Sequence, residues 1–158
     1  MAVRKILNKS DEMLHKVCRP VEKFDEKLHI QLDDMAETML KNNGVGLAAP
    51  QVAILRRFCV INVSEDGKGE TYELINPEIV WESEEKQRVV EGCLSCPDEW
   101  GYVTRPMSIK FRAQDRYGEW YEMEAAGLFA QAVCHEVAHL DGHLFTEIVE
   151  EYVEVEKK

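Results

Sequence analysis

Residues 131–142 read QAVCHEVAHLDG, and the HEVAH inside them sets two imidazoles and a carboxylate at a chemically useful spacing. On a helix, an H-E-x-x-H run puts His135 and His139 one turn apart on one face, where both rings can hold one metal ion. Glu136, between them, reaches a water on that ion. The alternative is an exposed polar turn in which the three groups have no chemical task. Their neighbours argue against exposure. At roughly 100° per residue, Phe129, Val133, Val137 and Leu140 form one narrow apolar stripe. Leu128, Ala132, His135 and His139 make a second face, well over a right angle away. A helix with a use for two faces is buried between layers, where unpaired imidazoles would be costly. The pattern points to a buried, metal-binding helix.

A catalytic metal site takes three protein ligands and keeps one position open for water. The extended zinc-protease pattern would supply a third His beyond the helix, but position 145 is Phe145, and His143 comes too early. Glu147, Glu150 and Glu151 follow the helix too closely to fold back easily. The better source lies upstream in EGCLSCP, residues 91–97, at Cys93 or Cys96. The same C-x-x-C pair could close a structural zinc site with His135 and His139, leaving no position for water. Spacing favours the open site and leaves both standing. A redox pair lacks the expected βαβ surroundings, and Cys18, Cys59 and Cys134 read as small buried hydrophobes. Gly44, Gly46 and Ala49 match a dinucleotide fingerprint by letter. However, a helix precedes them where a strand is needed, and Pro50 blocks the helix that should follow.

The elements that must position these groups can be read in outline. Residues 11–17 suit a short helix opened by Ser10 or Asp11. Residues 25–42 suit an amphipathic helix capped by Asp25, with Leu28, Leu32, Met35, Met39 and Leu40 recurring at helical spacing. Residues 44–51 read as an apolar loop. Strands are expected at 58–63, 72–80, 87–90, 107–113 and 120–123. The central helix is expected from 125 to 141, closed by Gly142. The tail suits either a helix (Ile148, Tyr152, Val155) or an edge strand (Val153, Val155). This order suggests an α+β fold of mostly antiparallel strands packed around a central metal-binding helix.

At 158 residues the chain fits one catalytic domain, 1–158. Its net charge of −11 disfavours nucleic acid or an anionic membrane as the main partner. The opening residues lack an apolar h-region, and no stretch approaches the roughly 20 apolar residues of a membrane span. Five Cys without a disulfide framework fit a reducing compartment, so a cytoplasmic location is expected.

Three segments taken together carry a family resemblance. GVGLAAPQ (44–51), EGCLS (91–95) and HEVAHLDG (135–142) resemble the three signature motifs of the peptide deformylases, in their order and spacing. The likeness runs on through the opening helices, ELINPEI at 73–79 and VTRP at 103–106, and so covers nearly the whole chain. It implies a metal held by Cys93, His135 and His139, usually ferrous iron in the cell, with zinc, nickel or cobalt able to replace it. It implies removal of the formyl group from the N-terminal formyl-methionine of new polypeptides, releasing formate. The metal would lower the pKa of a water toward roughly 7. Glu136 would take that water's proton and pass it to the leaving amine. The Gln51 amide and the Leu94 backbone N–H would steady the oxyanion. Leu128 and Ala132, with Val45, would line the methionine pocket beside a more polar Gln131. The backbone of Val45, Gly46 and Gly92 would pair with an extended substrate.

The chain also departs from the family pattern. Ala138 stands where an acidic residue usually precedes the second His, and Cys134 precedes the first. The resemblance implies a buried Glu91–Arg105 ion pair, which would have one fewer partner here. Some family members carry a basic C-terminal helix that docks on the ribosome. This tail holds Glu147, Glu150, Glu151, Glu154 and Glu156, which leaves at most a transient ribosome contact. Cys96 occupies a position where an aliphatic residue is expected. Cys96→Ser should therefore leave metal content intact by elemental analysis, whereas a closed four-ligand site would lose its metal.

Overall fold

A computed structural model of the chain describes residues 2–154. Near its start, a short 3-10 turn, Glu12–His15, is capped by the Asp11 carboxylate, which accepts from the Met13 N–H. Helix α1, Glu26–Lys41, begins where Asp25 accepts from the Leu28 N–H at 3.1 Å. Its buried side chains Leu28, Leu32, Met35 and Met39 follow the expected helical spacing, while Leu40 faces solvent. The segment read as an apolar loop instead forms strand β1, Gly46–Ala48, and a 3-10 turn, Ala49–Val52. Strand β2 is Phe58–Ile61 and β3 is Tyr72–Glu82. Strands β4, Lys86–Cys93, and β5, Cys96–Pro106, form a hairpin around Leu94 and Ser95. Strands β6, Ser108–Gln114, and β7, Trp120–Ala126, form another.

Helix α2, Leu128–Leu140, starts later than its pattern suggested. Ala125 and Ala126 remain paired with β6, and Gly127 makes the turn from strand to helix at φ 60° and ψ −128°. Tertiary pairing overrides the helix preference of alanine at this junction. At the far end Gly142 adopts φ 81°, and a Cβ there would lie 2.8 Å from the backbone of His15. Only glycine suits both the conformation and the approach. The tail resolves as strand β8, Glu151–Val153, after a 3-10 turn, Phe145–Glu147. Val155, which took part in both readings of the tail, lies outside the described residues.

All the strand pairs within the two sheets are antiparallel. One sheet runs β1-β2-β3-β6-β7 and the other β4-β5-β8. Strand β2 is buried on both faces. Phe58 and Val60 pack with the apolar face of α1, while Cys59 and Ile61 pack with Val133 and Leu140 of α2. Strand β6 turns Ile109, Phe111 and Ala113 to that same α2 cluster. The stripe of Phe129, Val133, Val137 and Leu140 thus seats α2 on the larger sheet. Its other face is left for the smaller sheet, whose Val103 and Cys96 pack with Leu14, Leu144 and Phe145. The helix does lie between layers, as its two faces required.

A bulge in β3 at Asn76 ties the region before α1 to the larger sheet. Asn76 adopts φ 52°, a left-handed conformation that asparagine tolerates better than most residues. Its side chain accepts from the Val21 N–H at 2.8 Å and donates to the Val21 carbonyl at 2.9 Å and to Gln114 Oε1 at 2.8 Å. At about 1 kcal/mol per bond, with αL strain added, Asn76→Ala should cost about 2–4 kcal/mol. Denaturant unfolding of the purified variant measures this; a loss below about 0.5 kcal/mol would mean that the bonds are replaced by water without penalty.

Candidate functional site

His135 and His139 project from the face of α2 turned away from the larger sheet, and Cys93 ends β4 directly opposite. The His135 and His139 Nε2 atoms lie 3.2 Å apart, and Cys93 Sγ lies 3.4 Å from His139 Nε2. One ligand atom from each of the three residues falls within a 4.8 Å group, the metal-type cluster found among the described residues. Ligands held about 2.0–2.3 Å from one tetrahedral ion stand roughly 3.3–3.6 Å from one another, so this spacing fits a single metal. Burial and the adjoining His135 ring hold His139 well below the ordinary histidine range, so its ring keeps a lone pair to donate. His139 is 0% exposed, and its Nδ1 finds no partner among the described residues. A ring left so poorly satisfied is costly unless its other nitrogen gains a strong partner, and a metal supplies one. Cys96 is absent from the group and packs with Leu14, Val103 and Phe145. That arrangement favours the open, three-ligand site over the closed one.

Glu91, next to Cys93 on β4, orients the cluster. Its Oε2 accepts from His135 Nδ1 at 2.7 Å and from Arg105 Nη2 at 2.6 Å, while Oε1 accepts from Arg105 Nε at 3.2 Å. Burial works against its charge, but the hydrogen bonds from His135 and Arg105 outweigh burial and hold its carboxyl down at about 2. An ionised Glu91 keeps the His135 proton on Nδ1 and turns Nε2 toward Cys93 and His139. The Glu91–Arg105 pair implied by the resemblance is present, with no other carboxylate on Arg105 among the described residues.

Glu136 is 3% exposed, its Oε1 has no partner among the described residues, and burial pushes its carboxyl up to about 7. It abuts Gly46 on β1, where an added Cβ would lie only 2.9 Å from Glu136 Cδ. That position admits no side chain while the carboxylate keeps its place. Gln51, on the turn after β1, is fixed from both ends. Its Oε1 accepts from the Ala48 N–H at 2.9 Å; its Nε2 donates to Ser95 Oγ at 3.0 Å and toward Cys93 Sγ at 3.5 Å. It therefore caps a loop and also carries an uncharged donor to the rim of the cluster.

A cavity of about 250 Å³ opens over these groups. Gln51, Cys93, Leu94, His135 and Glu136 line it, as do Val45, Gly46, Gly92, Leu128 and Ala132. His139 lies behind, fully buried. Gln131 also lines the cavity and donates to the Val90 carbonyl at 3.2 Å. Trp100 and Val90 were missed at the level of sequence. Trp100 sits opposite Gly92 in the β4–β5 register, so recognising β5 as a strand would have brought it to the site.

Since Glu91 both aims and polarises a ligand imidazole, Glu91→Gln should weaken binding of a divalent metal by about 10–100-fold. Competition against a chelator of known affinity measures this; unchanged affinity would remove Glu91 from the site's design.

Comparison with known proteins agrees with this geometry. The polypeptide deformylase family model matches residues 3–154. The chain is 51% identical to a peptide deformylase of Caldicellulosiruptor bescii, covering 99% of this chain and 92% of that one. It is 47% identical to peptide deformylase 1 of Bacillus subtilis, over 96% and 93% of the two chains. The crystal structure of the Thermotoga maritima peptide deformylase superposes with a TM-score of 0.90 at 38% identity, covering 95% of this chain and 99% of that one. A deep match in sequence and in fold over almost the whole length, with the cluster of Cys93, His135 and His139 at its centre, places this chain in the polypeptide deformylase family.

Proposed function

We propose that this chain is a metal-dependent hydrolase that removes the N-formyl group from the formyl-methionine heading new polypeptides and releases formate. The observation that carries this reading is the buried, unpartnered Glu136 carboxylate beside a convergent Cys93–His135–His139 cluster, all at one cavity. Ferrous iron is the physiological metal in this reading, with zinc, nickel or cobalt as substitutes. When bound, the metal supplies Lewis acidity, polarising the formyl carbonyl and acidifying a water. Glu136 accepts a proton from that water and returns it to the leaving amine. Gln51 Nε2 and the Leu94 N–H donate to the formyl oxygen as its negative charge grows. Because Gln51 is already held by Ala48 and Ser95, little reorganisation is needed to present that donor.

Sheet topology supports a place for the substrate. Strands β1 and β4 are edges of different sheets, and both border the cavity. An extended peptide pairs there with the backbone of Val45, Gly46 and Gly92. Its methionine side chain lies against Leu128 and Ala132, near the polar end of Gln131. A small peptidase would be told apart by its reaction product rather than by its fold. Five free thiols suit a cytoplasmic setting. The segment near Arg88 carries Glu150 and Glu151, whose charge repels phosphates, so any ribosome contact made through it is transient.

Protein prepared anaerobically with ferrous iron should release formate from a short formyl-methionyl peptide and do nothing to its unformylated twin. Glu136→Ala should lower kcat by about 10²–10⁴-fold with metal retained. Cleavage of an internal peptide bond would instead make the chain a peptidase, and metal binding without any reaction would favour a structural site.

A further inference from the structure

Cys96 is the one feature of the central motif to which the reaction assigns no task. Strands β4 and β5 meet in a hairpin whose turn is Leu94 and Ser95, so Cys93 and Cys96 are cross-strand partners beside a register shift at Gly92. Cross-strand partners stand roughly 4.5–5.5 Å apart at Cα, inside the range that a disulfide spans. The two side chains pack in one cluster with Val103 and Leu144. Their exposures are complementary. Cys93 lines the cavity and meets small solutes, while Cys96 is 1% exposed and meets only its neighbours. Among the other thiols, Cys18, Cys59 and Cys134 are buried in a separate cluster.

We propose that Cys93 and Cys96 form a reversible disulfide, with hydrogen peroxide as oxidant, so that oxidation releases the metal without destroying its ligand. This rests on the reading of Cys93 as a metal ligand. The Cys93 thiolate attacks one peroxide oxygen, the O–O bond breaks, and hydroxide leaves and is protonated to water. Cys93 is then a sulfenic acid. The Cys96 sulfur attacks the Cys93 sulfur, the S–O bond breaks, and the departing hydroxide takes the Cys96 proton as a second water. Two thiols have been oxidised and one peroxide reduced. A disulfide sulfur carries no anionic charge and is a poor ligand, so two imidazoles alone remain and the metal leaves. A dithiol reductant reverses the bond and restores the ligand. Without a neighbouring thiol, the sulfenic acid at Cys93 is open to further, irreversible oxidation.

The test uses the metal-loaded full chain, titrated with hydrogen peroxide, quenched by alkylation and mapped by peptide mass. In the wild type, a peptide joining Cys93 to Cys96 should appear as metal is lost, and reductant plus ferrous iron should restore metal content and formate release. Cys96→Ala and Cys96→Val should bind metal to the wild-type stoichiometry before treatment. After treatment both should carry Cys93 as sulfinic or sulfonic acid and recover neither metal nor activity. Sulfinic acid at Cys93 in the wild type beside an intact Cys96 thiol would overturn the proposal, as would equal recovery in the two variants. Failure to bind metal before any peroxide is added would overturn the ligand reading instead, and the metal-release step with it.

Discussion

The Glu91 carboxylate is the contact on which the rest of the site depends. It receives His135 from helix α2 and Arg105 from strand β5, while sitting on β4 two residues from Cys93. One buried network therefore joins β4 and α2, which deliver the cluster, to β5. Burying that charge alone would be costly, and two hydrogen-bonding partners offset the cost. Removing either partner would leave a stranded charge in the interior, so geometry and stability are linked at this point. The ligand imidazole is oriented by a group the fold already needs.

Two sheets and one helix divide the remaining tasks. The apolar stripe of α2 is spent on β2, β3 and β6, which sets the helix in depth and rotation. Its opposite face is then free to carry groups that would be poorly tolerated elsewhere. The cavity forms because β1 and β4 end their sheets side by side, over that face. Close approach of Gly46 to Glu136 brings the β1 backbone near the reacting groups. In the proposed reading, a substrate aligned by main-chain bonds would be aligned with the carboxylate as well.

Local patterns were legible where they repeat. Leu28, Leu32, Met35 and Met39 declare α1 over four turns, and HEVAH is a local signal that needs no partner to be read. Strand β5 was not legible as a strand at all, and its opening residues Pro97, Asp98 and Glu99 lack the alternation of a half-buried strand. What makes this stretch a strand is its pairing with β4 and β8, a long-range property. The same limit applies to the third ligand. Spacing left Cys93 and Cys96 both standing; the grouping of Cys93 with the two His and the packing of Cys96 against Leu14 and Phe145 favour Cys93. The start of α2 failed for a related reason, since Ala125 and Ala126 obey their strand partners and not their own preference.

Each of the four outer strands of the two sheets is either short or charged. Strand β8 spans only three residues, with Glu151 at its start, and β7 carries Glu122 and Glu124 along its exposed face. Short length and charge both discourage edge-to-edge association of copies. The same two devices recur at β1, which also spans three residues, and at β4, which exposes Lys86 and Arg88; both of these edges border the cavity. A chain that recognises peptides by strand pairing would risk recognising itself. Here the free backbone of β1 and β4 borders a cavity of about 250 Å³, a space better matched to a slender chain end than to the edge of a folded copy.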